Sequence, residues 1–412
     1  MRKPLEGIKV LDLSTFVAAP VCGRMLGDLG ADVIKIERPS GDAWRETGKG
    51  FNRKRFSDDA NPVFDIYNSG KKFLAVDMKT PEGMEIFWKL LGEADVFLTN
   101  NREGALKRLG ISYEDVKDRY PRLVYAAVTG YGDKGPDAST PAFDVTAFWT
   151  RSGFLRDMSP GGEHYQPMMP PSSAGDTITA TNLCTQICAA LYNREKTGKG
   201  DFVRASLYQA GIFTFASMIL STQEPAHLQY PRERYLGTAS GGVSGTYQCG
   251  DDEWIFLATA GNIAYNPKIF RMVGCPDMAE DPKYVDRKYC SNVENATALF
   301  NFLKSKFITK PCSEWLALGK EFDVPLVRMN HFKDVAEEEQ AWANGFLEKM
   351  EYENGVSLAM PTSPFIMDSV GEIKTKPAPR IGGNTRQVLL GMGYSNEEID
   401  KLTAAGVLRT CD

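Results

Sequence analysis

The chain has 412 residues, 42% of them hydrophobic and 25% charged, with a formal net charge of −5. That length allows two domains and a large core, and the acidic balance excludes a general nucleic-acid or acidic-membrane binder. Eight cysteines lie scattered with no CxxC pair, only three His are present, and no apolar run is long enough to cross a bilayer, so a cytoplasmic protein with no structural metal is expected.

Residues 1–13 (MRKPLEGIKVLDL) pass directly from two basic residues into a strand pattern over Ile8–Leu13, which is not the form of a signal peptide. A helix follows over 20–29, with Cys22, Met25, Leu26 and Leu29 on one stripe. Gly30 ends it, and Val33–Ile36 and Phe73–Val76 read as the next strands. Thr80 then caps a helix with Pro81 in its first turn and Met84, Phe87, Trp88 and Leu91 on its apolar face. Val96–Leu98 and Leu123–Val128 complete a run of apolar strands separated by amphipathic helices. That alternation predicts an α/β fold with a parallel sheet covered on both faces. Ligands in such sheets sit beyond the carboxyl ends of the strands. Here those ends are Glu37-Arg38-Pro39, Asn100-Asn101-Arg102 and Thr129-Gly130-Tyr131-Gly132.

Further on, SSAGDTITATN (172–182) opens a long helical pattern through Ala180, Leu183, Cys184, Ile187, Cys188, Leu191 and Tyr192. Counting back four residues from Ala180 puts Asp176 on the same buried stripe. A strand over 201–208 and a helix over 209–222 follow. Residues 223–250 are then rich in Gly, Pro and Tyr and include GTASGGVSGTY (237–247), which places a domain boundary near 225. VPLVRM (324–329) reads as a strand returning the chain, and the remainder closes with a loop and helices.

Four candidate chemistries stand out. Residues 8–37 have the strand–turn–helix–strand form of a dinucleotide site, but the turn STFVAAPVCG has no GxGxxG, which argues against NAD. Arg38, Arg102, Lys107 and Arg108 follow strand ends, where cationic side chains suit a phosphate-bearing ligand; the alternative is a solvated basic face. The glycines of 237–247 form either a flexible interdomain turn or a lid that excludes water. Asp176 is either a helix N-cap or a nucleophile or base that small neighbours leave accessible to a substrate.

Five blocks in order, LEGIKVLDLSTFVAAPVCGRMLGDLGADVIKIERPSGD, NSGKKFLAVDMKTPEG, ADVFLTNNREGALKRLG, VTGYGDKGP and AALYNREKTGKG, make the chain resemble the class III CoA-transferases. That resemblance implies a Rossmann-like large domain from residues 1–205 and 331–412, a smaller α+β domain at 225–325, linkers at 206–224 and 326–330, and an interlocked homodimer. It implies Asp176 as the nucleophile and CoA contacts at Val17, Ala18, Arg38, Lys71, Asn100, Arg108, Gly130 and Tyr131. Gly237, Gly241, Gly242 and Gly245 stand where some members carry a glycine loop over the nucleophile. An acyl-CoA donor and a carboxylic-acid acceptor are the implied substrates, with no permanently bound cofactor. The formyl-CoA branch has Gln in place of Phe16 or Val17, an aromatic at Asn101 and Lys at Thr129. PAFDVTAFWTRSGF and EEEQAWANGFLEKMEY resemble instead the branch acting on 2-hydroxy acids. Two rival activities stand beside transfer: a 2-methylacyl-CoA racemase of the same fold, which would need a His where only His164 is near, and a non-catalytic CoA-binding subunit.

Overall fold

The computed structural model describes residues 2–51, 56–159, 166–223 and 243–411. Six parallel strands come first: β1 (Lys9–Leu13), β2 (Asp32–Glu37), β3 (Lys72–Val76), β4 (Val96–Thr99), β5 (Val124–Thr129) and β6 (Phe202–Ser206). Three short strands, β7 (Gly245–Gln248), β8 (Trp254–Leu257) and β9 (Leu326–Arg328), make a separate antiparallel sheet. A hairpin of β10 (Leu347–Glu351) and β11 (Ser357–Pro361) follows, and β12 (Leu408–Arg409) pairs antiparallel with β3. The main sheet therefore runs β12-β3-β2-β1-β4-β5-β6. Without β12 this is the 3-2-1-4-5-6 order of the Rossmann fold.

Alternation along the strands distributes the core. Val10, Val96 and Val124 face one layer of helices, Ala18–Asp28 and Ala174–Thr197, whereas Leu11, Phe97 and Tyr125 face the helix Pro81–Glu93. Each such buried side chain contributes roughly 1.5–3 kcal/mol. The helix signals act as expected. The Thr80 hydroxyl accepts from the Gly83 N–H at 3.0 Å, and Gly30 leaves its helix at φ +109°.

The chain forms two compact units. The first comprises Met1–Phe154, Pro170–Ala216 and Glu338–Asp412; the second comprises Leu155–Met169 and Ser217–Glu337. Two segments expected as linkers are ordered elements. Residues 326–330 supply β9, because Leu326 packs on the core of the second unit while its backbone pairs with β8. Residues 206–224 carry two helices, Leu207–Thr214 and Ala216–Ser221; the break between them falls at Phe215, whose ring stacks on Phe154 at 4.6 Å.

Candidate active site

The loops after β1 to β4 enclose a cleft of 1250 Å³ within the first unit. It lies where β1 has neighbours reached by connections of opposite sense, the usual ligand position in this topology. A buried charged network shapes its floor. The Lys35 ammonium donates to the Ser14 carbonyl at 2.7 Å and pairs with Asp42 at 3.1 Å, while Lys71 pairs with Asp12 at 2.8 Å. Asp42 also accepts from the Phe16 N–H at 3.2 Å, and Asn100 exchanges two hydrogen bonds with the Thr15 backbone. Together these hold Phe16 at φ +64°. Such a conformation costs an aromatic residue about 1–3 kcal/mol and persists only where surroundings impose it.

Phe16 begins a run of aromatic contacts. Its ring lies 5.7 Å from Phe143 and 6.3 Å from Trp44, and Trp44 lies 6.3 Å from Tyr67. The Tyr67 phenol faces Ser173 and the carboxylates of Asp176 and Asp144.

Asp176 stands in the first turn of the helix Ala174–Thr197 and is partly buried. It is not the N-cap. That position belongs to Ser173, whose φ is +73° and whose hydroxyl makes no capping bond. Asp144, from a segment thirty residues upstream, faces this helix start. It is buried, and the backbone N–H groups of Gly175, Asp176 and Ser173 and the Trp149 indole point toward it. Neither of its oxygens completes a hydrogen bond with them. Burial raises Asp144 above the ordinary carboxylate range despite those donors. Burial, and then the Asp144 charge, push Asp176 up to about 7. The approach is close because residue 175 is glycine: a Cβ there would stand 2.4 Å from Phe148 Cγ. Among the described residues of the first unit, Phe16 and Ser173 are the two non-glycine positions with positive φ, and both flank this site. The arrangement offers a half-shielded carboxylate, free of a cation among the described residues, at a helix N-terminus that favours developing negative charge.

The anticipated contact residues fall in different places. Arg38 and Arg108 line the cleft. Asn100 fixes the Thr15 turn. Val17 and Ala18 are buried at the start of the first helix, where the Val17 carbonyl accepts from Val21. Lys71 is enclosed: its ammonium donates to Asp12, to the Pro20 carbonyl and to Asn68, and burial pushes it down to about 8. Gly130 accepts from the Ser206 hydroxyl at 3.0 Å, and the Tyr131 ring holds the Arg151 guanidinium at 4.8 Å. Gly245 is the first residue of β7, and a Cβ on it would stand 2.8 Å from the Phe300 ring. Gly237, Gly241 and Gly242, like His164, lie outside the described residues. Sequence reasoning missed Lys79 and Arg409, which line the cleft, and Asp144 and Tyr67 beside Asp176. Lys79 follows β3 as Arg38 follows β2, so the strand-end rule applied to every strand would have found it.

No helix among the described residues is long and apolar enough to cross a membrane. The chain is 36% identical over 408 residues, covering 98% of it and 99% of its counterpart, to (R)-2-hydroxy-4-methylpentanoate CoA-transferase of Clostridioides difficile. It is 34% identical over 403 residues, 96% of this chain and 95% of the other, to cinnamoyl-CoA:phenyllactate CoA-transferase of Clostridium sporogenes. Among solved structures, a CAIB/BAIF family protein from Brucella suis superposes with a TM-score of 0.77 at 25% identity, covering 95% of this chain and all of that one. Residues 5–385 match the model of CoA-transferase family III. The chain belongs to that family and is a class III CoA-transferase.

Proposed function

We propose that the protein moves CoA from an acyl-CoA donor to a 2-hydroxy acid with an apolar side chain, through covalent intermediates on Asp176. The observation that carries this reading is the Asp176 carboxylate itself, half-shielded, unpaired among the described residues and joined by aromatic contacts to a cleft with cations along it. CoA would lie in that cleft, its phosphates near Arg38, Lys79 and Arg108. Asn100 acts on this view by shaping the Thr15 turn, and Val17 and Ala18 by starting the first helix beneath the ligand.

In the forward steps, an Asp176 carboxylate oxygen attacks the thioester carbonyl carbon. The C–S bond breaks, giving an aspartyl–acyl anhydride and CoA thiolate. The thiolate attacks the Asp176 Cγ, the donor acid leaves as its carboxylate, and an aspartyl-CoA thioester remains. The acceptor carboxylate then attacks that thioester and releases the thiolate. Attack of the thiolate on the acceptor's acyl carbon frees the new thioester and restores Asp176. One thioester replaces another, so the overall equilibrium lies near unity and every intermediate must be kept from water. The N-terminal end of the long helix is placed to stabilise the oxyanions.

The aromatic walls of Phe16, Trp44, Tyr67 and Phe143 suit a branched or aryl side chain better than a small dicarboxylate. The named activities of the two clostridial relatives, with 4-methylpentanoate and phenyllactate skeletons, agree with that preference. We further propose a cytoplasmic homodimer, whose interface would cover exposed apolar side chains such as Phe213, Ile366 and Phe332. No observation favours the racemase or the non-catalytic subunit.

The test is mass spectrometry of CoA thioesters after mixing the protein with acyl-CoA donors and a panel of 2-hydroxy, aryl and short-chain acids. A new thioester of a 2-hydroxy acid is expected, and Asp176→Ala should lower its formation roughly a thousandfold or more. Substantial transfer by Asp176→Ala, or no new thioester with any acid, would overturn the reading.

A further inference from the structure

The cleft has two chemically different ends. At one end Phe16 is its single aromatic lining residue, and the ring of Phe16 begins the aromatic contacts that run through Trp44 and Tyr67 toward Asp176. Toward β3 and β12 it is cationic. Four cations, Arg38, Lys79, Arg108 and Arg409, line it with no ion-pair partner among the described residues. The other lining cations are committed: Arg45 to Glu37, and Lys49 to Glu46 and Asp58. Asp77 is turned back onto the Lys79 backbone N–H at 3.0 Å, and Asp42 is neutralised by Lys35.

Three of the four cations follow strands β2, β3 and β4. The fourth comes from a distant part of the chain. Arg409 pairs with Ala75 across the sheet edge, and its guanidinium donates to the Pro39 carbonyl at 3.2 Å. One donor of the fork is thus used, and the others remain for a ligand. The strand carrying it is pressed into place, since a Cβ on Gly382 (φ +73°) would stand 2.2 Å from the Arg409 carbonyl oxygen.

We propose that Arg409 is a phosphate-binding residue for the nucleotide end of CoA. The inference rests on the reading of this cleft as the CoA site. The aromatic end leads to Asp176, so the thioester lies there and the phosphates lie at the far, cationic end. An arginine fork matches phosphate oxygens in a way that its single bond to Pro39 does not exhaust.

The experiment measures binding of adenosine 3′,5′-bisphosphate and of CoA by calorimetry over a range of NaCl concentrations, for the parent protein, Arg409→Gln and Arg409→Lys. Loss of one charge-assisted contact predicts about tenfold weaker binding of the bisphosphate by Arg409→Gln. Its salt dependence should be shallower, and Arg409→Lys should recover part of the affinity. In turnover, KM for the acyl-CoA should rise while kcat holds. Unchanged bisphosphate affinity, or weakened affinity with an unchanged salt slope, would overturn the proposal; the second result would assign Arg409 to holding the Pro39 loop. Failure of the parent protein to bind CoA at all would instead overturn the assignment of the cleft.

Discussion

Replacing Asp144 with Asn isolates the electrostatic link between the two carboxylates. Asn keeps the shape of the side chain and an uncharged oxygen facing the N–H groups of the helix start. What it removes is the charge that, after burial, is the second cause lifting Asp176 to about 7. The lift from the ordinary 3.8 is about three units. Burial is its larger cause, so less than half of the lift belongs to Asp144. Attack requires the ionised carboxylate. Activity of the parent protein should therefore fall as pH drops through about 7. With Asp144→Asn the fall moves to lower pH, so at about pH 6, where about a tenth of the parent's Asp176 is ionised, the ionised fraction rises. Relative to its own value near pH 8, the variant should retain a several-fold larger share of its activity at about pH 6, up to a ceiling of about tenfold set by full ionisation. The assay is kcat/KM for the acyl-CoA donor across pH, with urea unfolding at each pH to monitor the folded fraction. An acid limb that stays in place, or moves to higher pH, would refute the coupling.

Two other substitutions test the frame around the site. Gly175→Ala drives a methyl group into the Phe148 ring, 2.4 Å from Cγ; it should cost about 1–3 kcal/mol in denaturant unfolding and displace Asp176 enough to lower kcat more than it changes KM. Lys71→Met removes the ion-pair partner of buried Asp12, which Lys71, with Lys35 and Ser14, now holds below the ordinary carboxylate range against the cost of burial; a loss of about 3 kcal/mol in stability is expected, and a stable Lys71→Met protein with selectively weakened CoA binding would show that the ammonium reaches the ligand.

Periodicity in the chain carried most of the architecture. Strands with apolar residues on both faces and helices with one apolar stripe leave few sheet topologies open, and the Thr80-Pro81 start and the Gly30 stop lie where their chemistry requires. Asp176 was readable because its stripe could be counted back from Ala180. What escaped were features that exist only in three dimensions. Lys71 precedes a strand like many exposed lysines, and nothing local shows that Asp12, fifty-nine positions away, turns it inward. Asp144 sits among aromatics far upstream of the helix that it serves. β12 has two residues, too few for any alternation to register. Gly245 looked like part of a glycine loop, yet it meets the Phe300 ring across a strand.

The pairing of β12 with β3 also bears on how the protein is made. Residues from Leu13 to Arg409 line one cleft, so its walls are separated by about four hundred residues of translation. At about 5–20 residues per second, the ribosome delivers Arg409 roughly twenty to eighty seconds after β1. During that interval the edge of β3 has no covering strand and offers unpaired backbone groups to any neighbouring chain. Premature termination before residue 408 would leave most of the sheet formed, with the edge of β3 open and Arg409 missing from one wall of the cleft.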